Sequence, residues 1–297
     1  MPSASAPPAT NYPFAWPASL GTPSNIIAIA NQSIPATGTV DYRYVNYTYT
    51  GPTVWLRAAV LLPGTVPVVH HILAYHKGVD NTLFSFLTGY APGTGIGAFP
   101  PGTGKLLTNN TALQFQLHYI AIGQATNDTS YLGLYTMPAP PAAALIQASA
   151  PNISFSIPAN TSDHEATTAS FVLSGTKAAY LYELSPHLHA RGSRFLYEAI
   201  YPAGSNPATE VLLSVPYYVF HWQTSYRFAQ PKYLPAGTSI RCTCAWDNST
   251  QNQELMELFN DQDNPNHAQY DPNSAVGWGD QTWNEMFIGY FNYSLVP

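Results

Sequence analysis

The sequence predicts an all-β chain folded as two tandem jelly-roll-like antiparallel β-sandwich domains. Three observations lead there. Only 9% of the 297 residues are charged, far below the usual quarter. The chain carries 27 prolines and 21 tyrosines among Thr- and Val-rich runs, a strand-forming composition, while no long Ala/Leu/Glu/Lys stretch shows a helical period. Short apolar runs recur between turn signals, as in sandwiches and jelly rolls.

Taken in order, residues 1–25 are rich in Pro, Ala and Ser and read as an extended arm or linker, with Tyr12, Phe14 and Trp16 as aromatic anchors. The first domain is expected over 26–160, with strands at 54–62, 66–75, 112–120, 131–135 and 152–157. A Gly/Pro-rich loop is expected over 89–104. Residues 138–141 and the polar stretch 160–168 read as connectors, which places the domain boundary near residue 160. The second domain is expected over 161–297. Its strands fall at 169–173, 178–184, 195–201, 211–215, 217–222, 226–228, 238–246 and 287–293. Residues 254–259 form the one expected helical turn.

Composition also excludes functions. A net charge of −6 provides no basic face for nucleic acid. No run of 18 apolar residues occurs, so no membrane span is expected. The opening MPSASAPPAT has neither a basic nor an apolar signal region, so no secretory signal is expected in this stretch. Yet Asn31, Asn46, Asn109, Asn127, Asn152, Asn160, Asn248 and Asn292 each begin an N-glycosylation triplet. Two readings account for this density: a heavily glycosylated secreted protein, or Thr-rich β loops that multiply such triplets. Cys242 and Cys244 share one face of a strand, where a bridge would be strained, so two buried free thiols are expected.

The histidines carry the chemistry. His187 and His189 are two apart, so on a strand both rings project to one side and can meet one ion; they could equally be a surface pair. Met286 would soften that site toward reduced copper if the fold brings it close, and otherwise is core. His70 and His71 are adjacent, and adjacent strand residues point to opposite faces. Both reach one ion only if the strand is bulged or ends there, or if opposite ring nitrogens are used. His118 sits in an alternating apolar strand, where a core histidine is the ordinary reading. His76 is a competing ligand. His164, His221 and His267 are unclustered and read as structural.

These residues, in order, resemble the copper type II, ascorbate-dependent monooxygenases, the family of the peptidylglycine α-hydroxylating and dopamine β-monooxygenases. The matching pieces are His70-His71 followed by Ile-Leu, Gln116-Leu117-His118-Tyr119, His187-Leu188-His189 with Gly192 soon after, and Glu285-Met286 with Tyr290. They span about 220 residues, and bacterial-type members are the nearest in pattern. The resemblance implies two copper ions, one per domain, facing a solvent-filled cleft. His70, His71 and His118 would hold the electron-supplying copper, and His187, His189 and Met286 the copper where oxygen binds. Gln116 and Tyr290 would be catalytic-site residues, and ascorbate or a similar reductant would supply electrons. Family positions that hold a peptide carboxylate, an arginine and an asparagine, are Ser185 and Ile288 here. A glycine-extended peptide is therefore not the expected substrate.

The leading expectation is a secreted copper monooxygenase hydroxylating a C–H bond of a small molecule with O2. One alternative is an extracellular glycosylated structural subunit that keeps the fold and forms an oligomer or filament by docking its N-terminal arm on a neighbouring copy. Another is a copper-binding protein without turnover.

Overall fold

The computed structural model describes residues 15–37, 42–77, 84–90, 97–220, 222–262 and 264–297. Tyr12, Phe14 and His221 lie outside them. The chain divides into two units, residues 1–145 and 146–297, each an antiparallel β-sandwich.

Among its described residues the first unit has the strands β1 (Asn25–Ala28), β2 (Gln32–Ile34), β3 (Arg43–Tyr49), β4 (Val54–Leu62), β5 (Val69–Lys77), β6 (Phe84–Tyr90), β7 (Thr103–Leu107), β8 (Thr111–Tyr119), β9 (Thr126–Asp128), β10 (Tyr131–Thr136) and β11 (Ala143–Ala144). One sheet runs β1-β10-β4-β7-β11 and the other β3-β8-β5-β6, with β2-β9 a separate ribbon. Strict alternation on β8 turns Leu113, Phe115, Leu117 and Tyr119 into the core and leaves Gln114, Gln116 and His118 on the opposite face. Leu56, Ile72, Phe115 and Leu132, all fully buried, belong to one apolar cluster. Each such side chain contributes about 1.5–3 kcal/mol by burial.

The second unit contains β12 (Ile146–Pro151), β13 (Ser156–Ile157), β14 (Thr161–Thr167), β15 (Phe171–Val172), β16 (Ala179–His187), β17 (Gly192–Ile200), β18 (Thr209–Val215), β19 (Tyr226–Leu234), β20 (Ser239–Asn248), β21 (Val276–Gly277) and β22 (Ile288–Leu295). The sheets are β12-β22-β16-β19 and β14-β20-β17-β18, with β15 also paired to β20. Trp246, Phe195, Phe287 and Phe291 fill the core. The helix α1 (Gln253–Asn260) is capped by Asn252, whose side chain accepts from the Leu255 N–H. Cys242 and Cys244 are buried free thiols.

Four expectations are corrected. The unit boundary falls at 145/146 rather than near 160, because β12 pairs along its whole length with β22. Residues 161–167 are a strand, not a connector: β14 pairs with β20 and is polar because it is exposed, its Asp163 and Glu165 both pairing with Arg194. Residues 217–222 alternate like a strand in sequence, but among the described residues 217–220 and 222 join no ladder and lie in a loop. The described end of the arm, from residue 15, is part of the first unit. Trp16 and Leu20 pack on Ala58, Val60 and Tyr135, and Arg57 Nη2 donates to the Leu20 carbonyl at 2.9 Å. Gly133 is required beneath Trp16, where a Cβ would come within 2.7 Å of the indole.

Among the described residues, no helix is long and apolar enough to cross a membrane.

Candidate metal centres

In the first unit the adjacent-histidine problem is resolved by a bulge. Along the β5–β8 ladder, Val69 pairs with Tyr119 and His71 with His118, so His70 is the extra residue. The bulge turns His70 to the face His71 already occupies. That face is the outer one, and His118 stands there too instead of in the core. The three rings lie edge to face with centroids 4.8–5.4 Å apart. One ring nitrogen from each lies within 4.8 Å of the others, and His70 Nδ1 and His71 Nδ1 are 3.1 Å apart.

The site's electrostatics suit a cation. Burial, then the neighbouring His70, pulls the His118 imidazole down to about 4, so it is neutral near pH 7, the form that ligates metals. Its Nδ1 is buried and has no hydrogen-bond partner in the protein, an orphan that a bound ion would satisfy. Tyr42 lies against His118 and His71, at ring distances of 4.7 and 5.7 Å. Two residues along β8, Gln116 donates from Nε2 to Tyr44 Oη at 2.8 Å. His76 is outside the cluster; burial and Lys105 lower it to about 4.

The second site forms where β16 ends. The rings of His187 and His189 are perpendicular, with centroids 5.2 Å apart. Each Nδ1 meets an oxygen: His187 the Gln223 Oε1 at 2.7 Å and His189 the Asn284 carbonyl at 3.1 Å. With both Nδ1–H groups donating, each Nε2 presents its lone pair, the arrangement typical of metal-bound imidazoles. Burial lowers both imidazoles, His189 to about 3 with His187 adding to the effect.

Met286 lies close along the chain. His187 pairs with Ile288 at the start of β22, where the ladder ends. Met286 is two residues before Ile288 and follows Glu285, whose carboxylate accepts from the His189 N–H. Its side chain is half-buried rather than sealed in the core. Tyr290, opposite Ser185, has its ring 6.3 Å from His187, and burial pushes its hydroxyl up to about 12.

The residue that ties this site together was quoted from the sequence only as a neighbour of Met286. Glu285 is fully buried. Its Oε2 accepts from the His189 N–H at 2.9 Å and Trp246 Nε1 at 3.0 Å, and its Oε1 accepts from the Arg191 N–H at 2.7 Å. Burial raises its carboxyl to about 7 while these donors and the Arg191 charge pull it down. Arg191, also fully buried, donates from Nε to Asn248 Oδ1 and from Nη1 to the Trp283 carbonyl. A glutamate before a methionine, facing a turn that holds an arginine, was the available signal. Gln223 had none, because its partner is 36 residues away.

Asn248 must therefore be withdrawn as a glycosylation site. It is fully buried, and its Nδ2 donates to the Pro158 and Ser274 carbonyls. Asn31, Asn46, Asn109, Asn127 and Asn160 are exposed, whereas Asn152 and Asn292 are half-buried. His164 stacks on Trp246, and His267 Nδ1 lies 3.0 Å from the Phe259 carbonyl.

No family model matches the sequence, and no curated protein matches it. Among solved structures, a peptide-N(4)-(N-acetyl-β-D-glucosaminyl) asparagine amidase is similar at 9% identity and a TM-score of 0.36, over 91% of this chain and 96% of that one. The VP2 subviral particle of infectious bursal disease virus is similar at 10% identity and a TM-score of 0.26, over 91% and 71%. The exported protein XepA follows at 8% identity and a TM-score of 0.22, over 75% and 86%. Scores of this size carry no argument about function.

Proposed function

We propose that this protein is a secreted copper monooxygenase that hydroxylates a C–H bond of a small molecule. The observation that carries the proposal is the pair of imidazole clusters, one in each unit. The first has an unpartnered buried nitrogen, and the second has both Nδ1 atoms engaged. His70, His71 and His118 would hold one copper. His187 and His189, with Met286 as a soft donor, would hold the other. Copper bound at these sites would supply one-electron chemistry and dioxygen activation.

The overall change balances as R–H + O2 + 2 electrons + 2 protons → R–OH + H2O. An ascorbate-like reductant supplies the electrons one at a time. The chain's own contribution is to orient the imidazoles and, by burial, to keep His118, His187 and His189 neutral. Gln223 and Asn284 set the tautomers in the second unit, and the bulge at His70 aims the rings in the first. Five exposed sequon asparagines support glycosylation and an extracellular location.

The structural-subunit reading is disfavoured because Trp16, one of the arm's anchors, packs on its own unit. The test is copper content with ascorbate-dependent oxygen uptake. We expect two coppers per chain, one after His118→Ala and one after His189→Ala, with oxygen uptake lost in both variants. Two bound coppers without oxygen uptake would leave a copper-binding protein and sink the enzyme reading.

A further inference from the structure

Tyr44 and Asn46 stand together on the outer face of the first unit. They are two residues apart on β3, the edge strand of its sheet, so their side chains leave the same face about 7 Å apart. Each is held by a glutamine directly opposite on β8. Gln114 Nε2 donates to Asn46 Oδ1 at 3.1 Å, and Gln116 Nε2 donates to Tyr44 Oη at 2.8 Å. The first bond fixes the Asn46 amide by its oxygen. It leaves Nδ2, the atom to which an N-glycan attaches, without a partner among the described residues. The second bond fixes a ring that is still 51% exposed.

Asn46-Tyr47-Thr48 is a glycosylation triplet. The other exposed triplets lack this arrangement. Asn109 spends its Nδ2 on the Thr50 and Gly51 carbonyls, and Asn160 donates to Asn273. The residues two before Asn31, Asn109, Asn127 and Asn160 are Ile29, Leu107, Ala125 and Pro158, so none of them offers a ring.

We infer that Asn46 carries an N-linked glycan whose first N-acetylglucosamine lies on the Tyr44 ring. The inference rests on the glycosylated, extracellular part of the proposed function and needs no copper. The transfer balances as Asn–CONH2 + oligosaccharide–diphosphate–lipid → Asn–CONH–oligosaccharide + lipid diphosphate + H+. The N–C1 bond forms, the C1–O bond to the carrier breaks, and Nδ2 gives up one proton. The folded strand has room for the product. One face of the sugar is a patch of C–H groups, which suits the face of an aromatic ring, and contact takes apolar surface of both out of water. Little freedom is lost, because the two glutamine bonds already hold the amide and the ring. The sugar then lies beside Gln116, two residues from His118 on the same face of β8.

The test uses the full chain secreted by a host that attaches high-mannose glycans. Thr48→Val supplies the unglycosylated background, because it removes the triplet but keeps Asn46 and its bond to Gln114. Glycopeptide mass spectrometry should find Asn46 occupied. In calorimetry, Tyr44→Ala should lower the Tm of the glycosylated first unit by about 2–4 °C more than it does in Thr48→Val, the worth of one ring contact. Trimming with an endoglycosidase that leaves a single N-acetylglucosamine should preserve that difference, and Asn127→Gln should leave it unchanged. Glycans at other triplets with Asn46 empty, an equal effect of Tyr44→Ala in both backgrounds, loss of the difference on trimming, or its loss in Asn127→Gln would each overturn the inference and leave the glycoprotein reading standing. A chain with no glycan at any triplet would overturn both.

Discussion

Glu285→Gln tests whether one buried carboxylate assembles the second metal centre. The change keeps the side chain's size but replaces one acceptor oxygen with an NH2 donor. The least damaging orientation puts that NH2 at the Oε1 position, facing the Arg191 N–H, which then loses its acceptor. A buried donor left unsatisfied costs about 1–3 kcal/mol. Above pH 7, where the carboxylate is ionised, the two bonds that survive, from His189 N–H and Trp246 Nε1, change from charge-assisted to neutral, each weaker by about 1 kcal/mol. Relief of carboxylate desolvation offsets part of this, and the net expectation is about 3 kcal/mol. For a unit of about 150 residues that lowers Tm by about 6–12 °C. Calorimetry of the metal-free protein should show the loss in the second unit only. Copper titration should show weaker binding at His187 and His189 with the first site unchanged. A fall of less than about 2 °C together with normal copper binding at the second site would refute the reasoning.

Other outcomes follow from the same structure. His118→Phe should abolish one copper site yet raise the Tm of the metal-free protein, because it removes an unpartnered buried nitrogen worth about 1–3 kcal/mol; thermal melts with and without copper check this. Met286→His should harden the second site and lower its preference for Cu(I), read from the site's redox potential. Mass spectrometry of the native protein should find glycans among Asn31, Asn46, Asn109, Asn127 and Asn160 and none at Asn248. His76 has a folded pKa of about 4, below its ordinary 6.5. The unfolded chain therefore takes up a proton first, and stability present above pH 6.5 is lost as pH falls toward 4. The full loss is about 3 kcal/mol, and His76→Phe should flatten that part of a denaturation-versus-pH curve.

The fold class was legible because period-two alternation survives wherever one face of a strand is buried. Residues 54–62 form a strand with the bounds expected, and residues 253–260 form the expected helix. Legibility failed where polarity had another cause. β14 looks like a connector because its Asp163 and Glu165 serve an exposed ion-pair cluster with Arg194. Residues 217–222 look like a strand because Tyr218 and Phe220 turn inward while Tyr217, Val219 and Trp222 are exposed. Asn248 forms a perfect glycosylation triplet, but Arg191 and two carbonyls consume its amide, and those partners lie 26 to 90 residues away.

The candidate sites show the same division between local pattern and distant partner. His187-x-His189 needs only a strand to share a face, so its geometry is written in the spacing. His70-His71 needs a bulge, and the one-residue mismatch between β5 and β8 cannot be read from either strand alone. That mismatch changes what His118 does. Without it His70 would face the core, His71 and His118 would be an ordinary cross-strand pair, and the His118 nitrogen would have no third ring beside it. Deleting one residue at the bulge should therefore do more than remove a ligand: it would restore ladder register while dispersing the cluster. A register-restored strand that still bound copper at this site would show that the two remaining imidazoles suffice, and the three-histidine assignment would fail.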